Sequence, residues 1–100
     1  DSVVSYNDQI ALEVIRALED EGLKVPDDVS VTGYDDSYLA SSGKVPLTTV
    51  AHPQEKLGEM AAELLLGLLK EGSVPESEKQ ILVKPKLVIR ESCISRKKEE

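Results

Sequence analysis

Val29-Ser30-Val31-Thr32-Gly33-Tyr34-Asp35-Asp36 is the stretch on which the reading of this chain turns. Its first half has the β-branched, apolar character of a buried strand, and Gly33 with the tyrosine and two acids behind it ends the run. Binding groups in an open α/β sheet collect just beyond the carboxyl ends of its strands, where this segment carries its carboxylates. Upstream, Val25-Pro26-Asp27-Asp28 is turn chemistry, with aspartates able to accept local backbone N–H bonds. Before that, Ile10, Ala11, Val14, Ile15 and Leu18 recur at helical spacing, with Asn7 or Asp8 as cap and Gly22 as stop. Residues 2–6 read as another buried strand. The three elements form a βαβ unit, expected to be parallel and right-handed in its crossover.

Downstream, Tyr38 to Val45 reads as a loop with Ser41-Ser42-Gly43 at its tip, and Thr48-Thr49-Val50 as a short third strand. Pro53 suits the first turn of a second helix. Along it Leu57, Met60, Ala61, Leu64, Leu65 and Leu68 trace one broad apolar face, and Glu71-Gly72 closes it. Residues 73–80 form a polar connection. Ile81–Val83 and Leu87–Arg90 are extended pieces broken by Pro85.

Composition narrows the function. The chain has 100 residues, 40% of them apolar but only 3% aromatic, without Trp or Phe, so aliphatic side chains must build the core. A net charge of −7 argues against a nucleic-acid surface on this chain, because phosphate neutralisation needs clustered Lys and Arg. Residues 1–43 hold ten acids and two bases, a field compatible with a neutral, hydroxyl-rich ligand. Cys93 is the single cysteine, which excludes an internal disulfide and a thiolate metal cluster; it reads as an inert thiol. No run approaches membrane-spanning length, and a reducing cytoplasm is the simplest setting. The row Glu55, Glu59, Glu63 is a solvated helix face rather than a metal or acid–base site. No nucleophile–base pair, phosphate loop or zinc spacing is present, so neither an enzyme nor a cofactor is expected.

An ordered set of blocks resembles the C-terminal part of the effector-binding domain of LacI/GalR-type regulators. The blocks are Asn7-Asp8-Gln9-Ile10-Ala11, Val25 through Asp36, Pro46-Leu47-Thr48-Thr49-Val50, Leu57-Gly58-Glu59-Met60-Ala61-Ala62 and Leu87-Val88-Ile89-Arg90-Glu91-Ser92. The step Thr49-Val50-Ala51-His52-Pro53 is similar to the arabinose-responsive repressors, which join this domain to a GntR-type winged helix. The resemblance implies a partial periplasmic-binding-protein-like I fold, α/β, with a parallel sheet and two main helices. It places residues 1–51 in the C-terminal effector subdomain. Residues 52–84 would be the hinge crossing and a helix packing on the N-terminal subdomain, 85–93 a returning strand, and 94–100 a charged tail.

The same resemblance assigns Asn7, Asp35 and His52 to the effector. An amide presents donor and acceptor to a diol, and a carboxylate accepts from two hydroxyls at once. Each has a plainer reading beside it: Asn7 or Asp8 as a helix cap, Asp35 and Asp36 as turn residues, His52 as a satisfied lone histidine. Asp8 and Asp36 are assigned structural cap or turn roles. Leu12, Ile15 and Ser42 are candidates for a homodimer interface, with packing on the core as the alternative for the first two. The implied function is sugar sensing by a cytoplasmic repressor, with arabinose as effector and DNA contacted only through a domain absent here. A sugar-binding receptor of a transport system is the alternative. Because a two-lobed site needs both lobes, the chain alone is expected to bind sugar poorly and to self-associate through its 53–71 helix.

Overall fold

The computed structural model describes residues 1–97; the last three positions of the expected charged tail, 98–100, lie outside the described residues. The chain divides into two compact units, Asp1–Ala51 with the segment from Lys86 onward, and His52–Pro85. The first unit contains β1 (Ser2–Val4), α1 (Asp8–Asp20), β2 (Ser30–Thr32), α2 (Tyr38–Ser42), β3 (Thr49–Ala51) and β4 (Lys86–Val88). The second contains α3 (Gln54–Glu71) and a 3-10 turn at Glu76–Glu78.

The parallel pairing in the βαβ unit is as expected. However, β1, read as a buried strand over residues 2–6, covers only Ser2–Val4 and is largely exposed, with Val4 at 84%. β1 and β2 pair in parallel, with Val3 opposite Val31. Between them α1 lays Ala11 and Ile15 on the sheet, where they join Val25, Val31, Ala40 and Leu47 in one core. Gly22 ends α1 at φ 78°, a left-handed conformation that lacks a Cβ penalty. The N–H of Leu23 donates to Leu18 O and that of Gly22 to Glu19 O, closing the helix as a Schellman motif. In the turn that follows, the Asp28 carboxylate accepts the Lys24 N–H at 2.7 Å.

β3 continues the parallel arrangement through isolated bridges, Thr32 with Thr48 and Asp35 with Ala51. β4 then pairs with β3 antiparallel, Val50 opposite Leu87. The returning chain is fastened by a side chain that sequence analysis did not single out. Ser92, fully buried, accepts the Thr48 N–H at 2.8 Å and donates to Val31 O at 2.5 Å. Nearby, Thr48 Oγ1 accepts the Arg90 N–H at 2.9 Å.

Three further expectations change. The loop read at Tyr38–Val45 contains the five-residue α2, anchored by buried Ala40, whose carbonyl accepts the Leu47 N–H. Ile81–Val83 is not a strand, since it has no ladder partner and Leu82 is exposed. Pro53 precedes α3 as its N-cap residue rather than sitting in its first turn, and its carbonyl accepts the Leu57 N–H. None of the eighteen residues of α3 is buried, and Leu69 is 72% exposed.

Gly33 has a steric role. A Cβ there would meet the Asp8 carboxylate and lie 2.7 Å from Leu47 Cδ2. Gly33→Ala is therefore expected to destabilise the protein by about 1–3 kcal/mol, the usual cost of forcing an extra carbon into a packed site. Ser92→Ala should cost about 1–3 kcal/mol by leaving the Thr48 N–H and Val31 carbonyl without their buried partner. Urea unfolding followed by circular dichroism reads both; a wild-type midpoint for Gly33→Ala would show that Asp8 and Leu47 can step aside.

Candidate functional site

The edge of the first unit where β1 and β2 end gathers two of the three expected effector residues. Asn7 is the N-cap of α1: its backbone is extended, at φ −152° and ψ 176°, and its Oδ1 accepts the Ile10 N–H at 2.8 Å. The cap therefore belongs to Asn7, not to its neighbour. An N–H donates to an oxygen, so this bond orients the amide; its NH2 group can still donate, and the oxygen keeps a second lone pair.

Asp8 does something else. It is 1% exposed, with its N–H donating to Tyr34 O at 3.0 Å. Its Oδ2 accepts the Ser37 N–H at 2.7 Å, and its Oδ1 accepts the Thr49 hydroxyl at 2.6 Å. A buried carboxylate is tolerated when its oxygens are answered in this way.

Between Tyr34 and Ser37 the chain makes a turn in which Asp35 has φ 108° and Asp36 φ 52°. The second value is in the left-handed region that aspartate tolerates, whereas the first is one that side chains rarely adopt. The Asp35 N–H donates to Val50 O at 2.9 Å, pinning the turn to β3. Asp36 is drawn away from its neighbour: its carboxylate pairs with Arg90 Nη2 at 2.7 Å, while Arg90 Nη1 donates to Leu47 O at 3.0 Å. The Asp36 N–H also points to Thr49 Oγ1 at 3.4 Å. Adjacent acids thus occupy different surroundings.

Asn7 and Asp35 line one depression of about 140 Å³ together with Asp8 and Ser37. Asp35 also borders a cleft of about 370 Å³ with Tyr6 and Tyr34, a ligand-sized volume. Neither tyrosine was singled out from sequence. Their strand positions held the signal, since each lies two residues beyond the Val4–Thr32 partner pair and so on the same face. His52 belongs to the second unit, where it is half-buried and its carbonyl accepts the Gln54 N–H at 2.8 Å.

The interface candidates divide. Ile15 is 7% exposed and is a core residue of the chain itself, so it presents no surface to a partner. Leu12 is half-buried against the same core, and Ser42 is exposed at the end of α2. Among the described residues no three His, Cys, Asp or Glu side chains converge as a metal site, and no helix is long and apolar enough to cross a membrane.

Comparisons with known proteins agree with this architecture. The family model for a periplasmic binding protein-like domain matches residues 1–93. The arabinose metabolism transcriptional repressor of Halalkalibacterium halodurans is 37% identical over 101 residues, covering 98% of this chain and 27% of its own length. A transcriptional regulator CelR in complex with cellobiose superimposes with a TM-score of 0.85 at 34% identity, covering 92% of this chain and 28% of the other. The lac repressor dimer bound to operator and an anti-inducer gives 0.84 at 34% identity, covering 94% and 32%. The chain thus spans 27% of the curated arabinose relative's length. It belongs to the periplasmic binding protein-like domain family, with LacI-type transcriptional regulators as its relatives.

Proposed function

We propose that this segment is part of the effector-binding domain of a sugar-responsive transcriptional repressor, with arabinose as effector. Sugar would bias a closed over an open arrangement of the domain and so release DNA held by a region outside this chain. The observation that carries the reading is that Asn7, whose amide offers donors, and Asp35, whose carboxylate offers acceptors, line one depression. Hydroxyl groups both donate and accept, so a donor beside an acceptor suits a vicinal diol. The name of one relative, a repressor of arabinose metabolism, supports both the class and the sugar, and a regulator in complex with cellobiose supports the class.

In the same reading His52 is a third effector contact, supplied from the crossing at 52–84. Residues 1–51 and 85–93 belong to the C-terminal subdomain. The working form is a cytoplasmic, non-catalytic homodimer, as the dimeric lac repressor suggests, with Leu12 and Ser42 as the remaining interface candidates.

Two substitutions in a full-length protein containing this segment test the site. Asp35→Ala should weaken arabinose binding by about tenfold or more, the worth of a charge-assisted hydrogen bond. Asn7→Asp keeps a cap of equal quality but removes the NH2 group and adds like charge, so it should spare thermal stability and lose arabinose affinity by about tenfold. Both variants should still bind operator DNA. Titration calorimetry with arabinose reads the affinity, and wild-type values for both would move the effector site elsewhere.

A further inference from the structure

We infer that Asp8 is a positioning residue for sugar recognition, holding the Asp35 carboxylate in its binding posture and tying that posture to β3. The inference rests on the effector reading above. It starts from an imbalance: Asp35 adopts φ 108°, a backbone state that disfavours a side chain, so something must hold the turn in place. Asp8 grips that turn at both ends. Its backbone N–H holds Tyr34 O at 3.0 Å on one side of Asp35, and its Oδ2 holds the Ser37 N–H at 2.7 Å on the other.

The other oxygen reaches further. Oδ1 accepts the Thr49 hydroxyl at 2.6 Å, and Thr49 opens β3, the strand from which the chain leaves the first unit for His52. Thr49 is fully buried, as Asp8 nearly is, so water does not compete for this bond. Gly33 admits the carboxylate by having no Cβ, which shows how closely this position is filled. One side chain therefore joins the start of α1, both flanks of the Asp35 turn and the head of β3. A shift in the turn on sugar binding would be felt at β3 through a bond of low extensibility, a physical link between effector contact and the exit strand.

The test compares arabinose affinity in a full-length protein containing this segment, measured by calorimetry well below each variant's melting midpoint. Asp8→Ala removes both side-chain acceptors and should weaken arabinose by about tenfold or more, with a smaller loss for the isosteric Asp8→Asn. Ser92→Ala removes a comparably buried group that touches no part of the turn; it should lower the midpoint and leave arabinose affinity within about twofold of wild type. In an Asp35→Asn background, Asp8→Asn should add less than it does alone, the sign of two residues acting as one unit. Where Asp8→Ala does not fold, the contrast between Asp8→Asn and Ser92→Ala decides. Wild-type arabinose affinity in the folded Asp8 variants, or an equal loss in Ser92→Ala, would overturn the positioning role. Unchanged affinity in Asp35→Ala would instead remove the effector site on which it rests.

Discussion

A carboxylate taken out of water must be answered by the fold, and the first unit of this protein is arranged around one such group. The Asp8 side chain is 1% exposed and carries a backbone N–H on one oxygen and a hydroxyl on the other. It also sits in the first turn of α1, where the helix dipole favours negative charge. Removing any one of these partners would leave an under-satisfied buried charge, which costs far more than a lost surface bond. The constraint propagates outward. Gly33 must lack a side chain, Thr49 must present its hydroxyl inward, and the 34–37 turn must bring the Ser37 N–H into range. Around this centre a second set of bonds, Asp36 with Arg90 and Ser92 with Thr48 and Val31, fixes the returning chain to the same strands.

What sequence made legible follows from range. The βαβ unit was readable because its signals are local: apolar residues at helical spacing, a cap residue, a glycine stop and a proline turn all fall within a few positions of what they organise. The resemblance to sugar-responsive regulators added the candidate site, and Asn7 and Asp35 do share one depression. The α2 helix was not legible, since five residues hold too little of a helical period to register. Nor was Ser92, whose partners lie 44 and 61 positions away, because a buried hydroxyl bridging distant strands leaves no pattern in a single sequence. The choice between Asn7 and Asp8 as cap was open for a related reason. Both residue types cap well. What decided it was Asp8's engagement with Ser37 and Thr49, tertiary contacts that local propensity does not contain.

The second unit poses a different question, namely why α3 is a helix at all when none of its residues is buried. Its composition suffices: leucine, alanine, glutamate and lysine are strong helix formers, and eighteen residues exceed the roughly 12–15 at which isolated helices become marginal. Glu55 in the first turn and Lys70 in the last oppose the helix dipole, and Gly72 at φ 75° closes the helix through a bond to Leu68 O. Gly58 and Gly67 weaken it, each by about 1 kcal/mol relative to alanine. The leucine-rich face is therefore helical on intrinsic grounds and, among the described residues, largely uncovered, with only Met60, Leu64 and Gly67 half-buried. An amphipathic helix of this kind normally draws most of its stability from packing, so the composition of α3 exceeds what the described residues use.

The chemistry of the site is decided by how its polar atoms are already committed. The cap bond to Ile10 occupies one lone pair of the Asn7 oxygen, and the amide's NH2 donors stand beside the acceptors of Asp35 in the depression both residues line. A carboxylate ligand in this depression would meet the like charge of Asp35. A neutral polyol satisfies both sides, because each hydroxyl gives a proton to one neighbour and takes one from another. The backbone points the same way. Glycine would adopt φ 108° without strain, yet the chain places an acid there. On the proposed effector reading, the chemistry of the Asp35 side chain, rather than the ease of its turn, accounts for the residue.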